Sequence, residues 1–295
     1  MDTAVKPSRR VAVVIGSGSV KCAAALGLLN VLQSEGIDID LLVGCSAGCL
    51  FAAMIAAGKD SEEAAEITGR LWTAEIAQDR NRRALFQAAA PRLFGFDPAF
   101  GLRDDHTVMG RLQDAFGDMR IEDMRIPLYL TATRFDDGAQ AIFSKGRVID
   151  AIRASIAVPF LFSPWKIDGT LYMDGYMSDP LPVGVAIKEG AQVIVAMGFE
   201  SPYQERITSV GRFAFQVSAI LSNNLLKSQF AFHGLAHHAE IIPILPQFQQ
   251  RIRLFDTKKI PYIIEEGERA AREQLPYLLR LLDTQAARAA EPSRS

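Results

Sequence analysis

The chain has 295 residues, 49% of them hydrophobic and 22% charged, with a formal net charge of -2. That length is enough to bury a large α/β core, and the near-neutral charge offers no general attraction for a polyanion, so no nucleic-acid partner is expected. Three cysteines, Cys22, Cys45 and Cys49, supply neither a disulfide framework nor a paired metal-ligand spacing, which points to a reducing compartment, the cytoplasm, and to no metal.

Residues 1–10 are polar and carry no secretory signal, and the following run 11–15 is short. That run, with Arg10 before it, is β-branched, nearly continuous and closed by glycine, the pattern of a strand buried on both faces. It enters the loop Gly16-Ser-Gly18-Ser19-Val-Lys21-Cys22, and apolar residues at three and four spacings then predict a helix over 22–34, stopped at Glu35-Gly36. A second strand, 41–43, ends at Gly44-Cys45-Ser46-Ala47-Gly48 and feeds an alanine-rich helix over 49–57. A surface helix over 61–78 is expected to start at Ser61, with Glu62 and Glu63 in its first turn. Residues 85–102, LFQAAAPRLFGFDPAFGL, mix aromatics and leucines with prolines and glycines, which breaks a long helix and suggests a cap: a lid over a site, or a piece packed on the core.

Further on, strands are predicted at 128–133 and 140–143 around the turn Asp136-Asp137-Gly138, a helix at 149–155 ahead of Pro159, and a buried strand at 193–198. A long amphipathic helix over 207–238, a short strand at 241–245 and a helical region at 260–282 follow. The tail 283–295, rich in Ala, Arg and Ser, is expected to be disordered. With neither an internal repeat nor a linker, residues 8–282 read as one domain. The apolar stretches at 44–57 and 213–226 are too short or too interrupted to cross a bilayer of about 30 Å, so any membrane contact is expected to be peripheral.

The segment Gly44 to Gly48 matches G-x-S-x-G between a predicted strand and a predicted helix, the context of a nucleophile elbow. A serine on such a turn is held in strained geometry, glycines let the chain double back, and the next helix aims its amide dipoles at the serine oxygen. The loop with Gly16, Gly18, Ser19 and Lys21 lacks the ending of a P-loop and the third glycine of a dinucleotide fingerprint. It remains either a set of backbone amides able to hold an oxyanion at a helix start or a plain tight turn. None of the four histidines, His106, His233, His237 and His238, has the setting of a base: His233 and His237 read as helix residues, and His106 as a loop or helix start. Asp174, in Tyr172-Met-Asp174-Gly175-Tyr176, is an acidic candidate whose local alternative is a turn cap, and Asp179 before Pro180 reads the same way.

Taken together, the glycine loop, the serine elbow and the Asp-Gly motif, in that order, resemble the patatin-like phospholipase family. The block Ala154-Ser155-Ile-Ala157-Val-Pro159-Phe-Leu-Phe162-Ser-Pro164, with Gly169, Tyr172, Asp174-Gly175 and Pro180-Leu-Pro182-Val183, is similar to the family's approach to its catalytic aspartate; the likeness is strongest over 10–200. The resemblance implies a three-layer α/β/α fold with a central, mostly parallel sheet. It also implies a Ser46–Asp174 dyad, oxyanion donors near Gly18 and Ser19 with Lys21 as the loop's basic residue, and hydrolysis of lipid esters of the phospholipase A or lysophospholipase type through an acyl-enzyme, without a cofactor; the alternatives are an esterase or thioesterase for soluble acyl esters and a catalytically silent binding or regulatory protein on the same fold. Two departures stand out. Cys22 takes the place of a glycine, which bears on the loop's backbone angles because cysteine tolerates positive φ poorly, and Tyr176 takes the place of a glycine or alanine, which narrows the site. Because an aspartate is a weak base, the dyad requires a buried, apolar pocket.

Overall fold

The computed structural model describes residues 9–77, 81, 93, 97, 100, 101, 103, 105–201, 203–236 and 239–288. Its first elements are β1 (Val11–Ile15), α1 (Ala24–Ser34), β2 (Leu41–Cys45), α2 (Gly48–Ala56) and α3 (Ser61–Leu71). Next come α4 (His106–Phe116), β3 (Leu128–Arg134), β4 (Gln140–Phe143), α5 (Val148–Ser155), β5 (Trp165–Ile167) and β6 (Thr170–Met173). The last are α6 (Val183–Lys188), β7 (Val193–Met197), α7 (Val210–Ala236), β8 (Glu240–Ile244) and α8 (Ile260–Arg288).

The strands form one sheet in the order β5-β6-β3-β2-β1-β7-β8, with β4 also on β3. Its centre is parallel, β3, β2, β1, β7 and β8 running together, while β4, β5 and β6 add antiparallel pairings. Successive side chains of a strand point to opposite faces, and here they enter two different cores. Val11, Val13 and Ile15 of β1 pack with α1, α2 and residues of α8, whereas Ala12 and Val14 pack with Val183, Val185 and Ala186 of α6 and Leu226 of α7. Both faces are therefore covered by helices, and this is why β1 and β2 read as unbroken apolar runs.

Several elements differ from the sequence expectation. The first helix opens as a tight 3-10 turn over Ser19–Ala23 before α1 proper begins at Ala24. Asp60, not Ser61, caps α3: Asp60 is extended and its carboxylate accepts the Glu63 amide at 2.8 Å. That helix also stops at Leu71, because Trp72 leaves the helical path and its Nε1 donates to the Leu254 carbonyl at 2.9 Å. The β5–β6 hairpin and the helices α4 and α6 were not anticipated, and His106 proves to be the first residue of α4. The last helix runs past Leu282 to Arg288, because Thr284 to Arg288, TQAAR, is largely made of good helix formers. The expected cap at 85–102 lies almost entirely outside the described residues, as do His237, His238, the His233 side chain and the tail from 289 on.

Candidate active site

Ser46 and Asp174 leave the ends of two strands that flank β3. Ser46 follows β2, whose last residue Cys45 lies opposite Thr131 near the C-terminal end of the parallel β3; β6 is antiparallel and runs back along β3 from beyond that end, with Met173 opposite Thr133, so the register brings Asp174 level with Ser46. Their side chains meet: Ser46 Oγ donates to Asp174 Oδ2 at 2.8 Å. Ser46 is 8% exposed and Asp174 is fully buried.

The elbow geometry follows from its residues. Ser46 has φ +54°, in the left-handed region that costs a non-glycine residue on the order of 1–3 kcal/mol. The surroundings hold it there. Its amide donates to Ser155 Oγ at 2.7 Å, and its carbonyl accepts the Cys49 amide at 2.9 Å as α2 begins. Gly44 is the penultimate residue of β2, opposite Leu130 of β3, and Cys45 closes the strand with its thiol donating to the Asp179 carbonyl. Ala47 lines the cavity next to the serine. Gly48 cannot be anything larger, since a Cβ there would lie 2.3 Å from the Ile15 carbonyl oxygen. The elbow therefore packs directly against the end of β1, which is also where the glycine loop starts.

Asp174 is fixed from all sides. Its amide donates to the Ala157 carbonyl at 3.1 Å, its own carbonyl accepts Thr133 Oγ1 at 2.9 Å, and Oδ1 accepts the Tyr176 amide at 3.1 Å. Gly175 opens a short turn whose carbonyl takes the amides of Ser178 and Asp179. Burial pushes the Asp174 carboxyl up to about 7, with the Tyr176 amide and the Ser46 hydroxyl pulling it partly back. The turn-cap reading of Asp174 is thus half right: one oxygen caps the turn and the other holds the serine.

In the glycine loop, the Gly16 amide donates to Met197 and the Ser17 amide to Pro180, so these two anchor the loop. The amides of Gly18 and Ser19 make no hydrogen bond to another described residue, and both residues line the same cavity as Ser46. Ser19 is the loop's left-handed residue, with φ +57°, and its Oγ donates to the Leu254 carbonyl at 2.7 Å. Gly18 is extended and has to be glycine for another reason: a Cβ would fall 2.5 Å from the Phe199 ring. Lys21 lines the cavity as well; burial lowers its pKa, and its ammonium donates to the Glu200 carbonyl at 3.0 Å. The substitution at Cys22 is benign for the backbone. It sits inside the 3-10 turn without positive φ, fully buried, its thiol on the Gly16 carbonyl.

Sequence reasoning quoted Ser155 without giving it a task. Its hydroxyl accepts from the Ser46 amide and from the Cys49 thiol and donates to the Thr131 carbonyl at 2.6 Å, which ties the elbow to β3. Asp179 is a second buried carboxyl, pushed up to about 6 by desolvation, and its Oδ1 accepts the Leu181 amide beside the Pro180 carbonyl that anchors the loop. The signal for both is a polar residue in an apolar run, which does not reveal its partner.

The cavity above the dyad is about 450 Å³. Trp72, Ile156, Val158, Phe215, Ile252 and Leu254 give it an apolar wall, while Tyr176, Ser201 and Arg212 add polar groups. Among the described residues no histidine lines it, and the side chain that Ser46 Oγ hydrogen-bonds is the carboxylate of Asp174.

Comparison with known proteins gives the same picture. Residues 13–187, more than half of the chain, match the model of the family described as patatin-like phospholipase. An uncharacterized NTE family protein of Mycobacterium tuberculosis is 30% identical over 190 residues, 64% of this chain and 49% of that protein. Lysophospholipase NTE1 of Saccharomyces cerevisiae is 28% identical over 187 residues, 63% of this chain and 10% of that protein. The chain therefore spans about half the length, or less, of these curated relatives. Among solved structures, VipD from Legionella pneumophila has a similar fold, with a TM-score of 0.53 and 13% identity over 92% of this chain and 67% of that one. With residues 13–187 matching that family's model, this chain belongs to the patatin-like phospholipase family.

Proposed function

We propose that residues 8–282 act as one serine acyl hydrolase unit that cleaves lipid carboxylic esters of the phospholipase A or lysophospholipase type. The observation that carries the reading is the 2.8 Å bond from Ser46 Oγ to the fully buried Asp174 Oδ2 at the base of the cavity. Ser46 Oγ attacks the ester carbonyl carbon while its proton passes to Asp174 Oδ2, and the Gly18 and Ser19 amides take the negative oxygen. Collapse breaks the bond to the alcohol, which leaves with the proton from Asp174. Water then adds to the acyl-enzyme, Asp174 taking its proton, and the acid departs as Ser46 recovers a hydrogen.

A carboxylate in water is too weak a base for this sequence. Raised to about 7, Asp174 stays partly ionised at neutral pH and gains driving force for accepting the proton. The cavity volume lies in the range of small-molecule sites, and its apolar wall suits an acyl chain. A fluorophosphonate probe tests the reading: wild-type protein is labelled at Ser46 and Ser46→Ala is not. Folded wild-type protein that resists the probe and hydrolyses neither lysophospholipid nor a short ester refutes it.

A further inference from the structure

Helix α7 carries apolar residues on two sides. One side lines the active-site cavity through Phe215, Ser218 and Ala219. The other faces solvent: Phe213 is 58% exposed, Leu221 is 63% exposed, and Val217 and Ile220 lie between them, also exposed. At about 100° per residue these four form one stripe, roughly opposite the cavity side. A helix apolar on both sides is normally buried on both, and here the outer side has no cover among the described residues.

The charges near this stripe have one sign in excess. Within Val210–Ala236 the charged residues are Arg212 and Lys227, with no acid. At about 100° per residue Lys227 falls about 40° from Phe213, on the side of the stripe, and its side chain is 64% exposed, 3.9 Å from the exposed Glu200, whereas Arg212 turns to the cavity. The chain as a whole is slightly acidic, so this cationic excess is local. No described helix is long and apolar enough to span a membrane, which leaves a helix lying in the surface plane.

We propose that the outer stripe of α7, on a helix that carries Arg212 and Lys227 and no acid, docks on an anionic phospholipid surface and places the cavity wall formed by the same helix against the bilayer from which an acyl chain enters. The proposal rests on the hydrolase reading for its purpose, but not for its test. An apolar stripe submerged in the interface and a lysine at headgroup level each add to binding, and the second contribution is weakened by salt.

Sedimentation with vesicles of phosphatidylcholine doped with phosphatidylglycerol measures the docking, with Ser46→Ala as the background so that turnover plays no part. The background protein is expected to bind, less so at high salt, and F213D/L221D to lose at least about tenfold in partitioning. Neither residue lines the cavity, so in otherwise wild-type protein F213D/L221D is expected to keep its turnover of a short soluble ester while losing vesicle hydrolysis. K227E, a surface change that leaves the apolar stripe intact, is expected to weaken binding to anionic vesicles about fivefold and binding to pure phosphatidylcholine hardly at all. Unchanged vesicle binding by folded F213D/L221D overturns the proposal. So does a wild-type dimer that ignores vesicles and is split by F213D/L221D in light scattering, which would assign the stripe to a second copy. If vesicles bind as expected but the probe and the soluble ester both fail, the docking face stands and the hydrolase reading falls.

Discussion

The sheet-borne part of the cavity and its helix-borne part are held in place by different means. Ser46, Asp174 and the glycine loop sit at strand ends, and main-chain bonds to Ser155, Ala157, Thr133, Met197 and Pro180 fix their positions. Helix α7 is tied through side chains instead: Asn223 exchanges hydrogen bonds with the Ser201 backbone, Gln216 accepts the Gln204 amide, Ser218 meets the Tyr176 hydroxyl, and Leu226 is buried in the second core. The difference teaches where each kind of specificity resides. The Ser46–Asp174 geometry is built into the backbone of the sheet, where a slip of one residue would move every partner, while part of the cavity wall is left to a helix whose outer side has no cover among the described residues.

The sharpest break of this comparison comes from removing the reacting groups. Ser46→Ala and Asp174→Asn are each expected to lower kcat/KM for a short ester by about a thousandfold or more, without change in vesicle binding. Should Asp174→Asn retain more than about a tenth of the activity, the proton must go elsewhere and the dyad assignment fails.

Acidity gives the next largest effect. Because Asp174 is raised to about 7, its base form is lost as pH falls below that value, and kcat/KM is expected to drop about tenfold per unit toward pH 5. The stability sign is opposite. A carboxyl whose folded pKa lies above its unfolded value of 3.8 binds protons more tightly when native, so its contribution is fully present below 3.8 and is lost as pH rises through about 7. Asp174→Asn removes that penalty, so the variant's Tm is expected to exceed the wild type's at pH 8 by more than it does at pH 4. Equal differences at the two pH values would contradict the burial argument. Asp179, also raised, is common to both proteins and cancels.

Ser155 tests whether the sheet side depends on its anchors. Ser155→Ala leaves the buried Ser46 amide without its partner and takes one donor from the Thr131 carbonyl, which costs on the order of 1–3 kcal/mol of stability. A kcat loss of about tenfold with little change in KM is expected, measured on a short ester after confirming the fold by circular dichroism. A KM change alone would mean that Ser155 shapes the pocket instead of the elbow.

What was legible in the sequence follows the same division. The strand-loop-helix unit around Ser46 was readable because a buried parallel strand is apolar at every position and its turn needs glycine, two signals that are local. Asp174 was found by resemblance, since its own segment is a short edge hairpin of half-buried residues; yet Asp168-Gly169, with φ +47° and +86°, was a readable two-residue turn that gives β5 and β6 away. The role of Ser155 was hidden because it depends on a partner 109 positions distant. The outward stripe of α7 was read as ordinary amphipathicity. Periodicity reveals that a helix has faces, not that an apolar one is left uncovered.

Tyr176 joins the two regions and yields the smallest effect and the finest discrimination. Its amide belongs to the sheet side, holding Asp174 Oδ1, while its side chain lines the cavity and its hydroxyl hydrogen-bonds Ser218 of α7. The family pattern places a small residue here, so the ring occupies space that an acyl chain would otherwise take. Tyr176→Ala keeps the amide and empties the ring volume. It is expected to shift the preferred ester toward longer chains, with kcat on a short ester falling no more than a few-fold, because nothing that touches Ser46 is removed. Tyr176→Phe loses just the tie to Ser218 and is expected to leave the chain-length profile unchanged. If Tyr176→Phe alters the profile as much as Tyr176→Ala, the hydroxyl that holds α7 sets the pocket and not the ring's bulk, and the helix side would then govern substrate choice through its position.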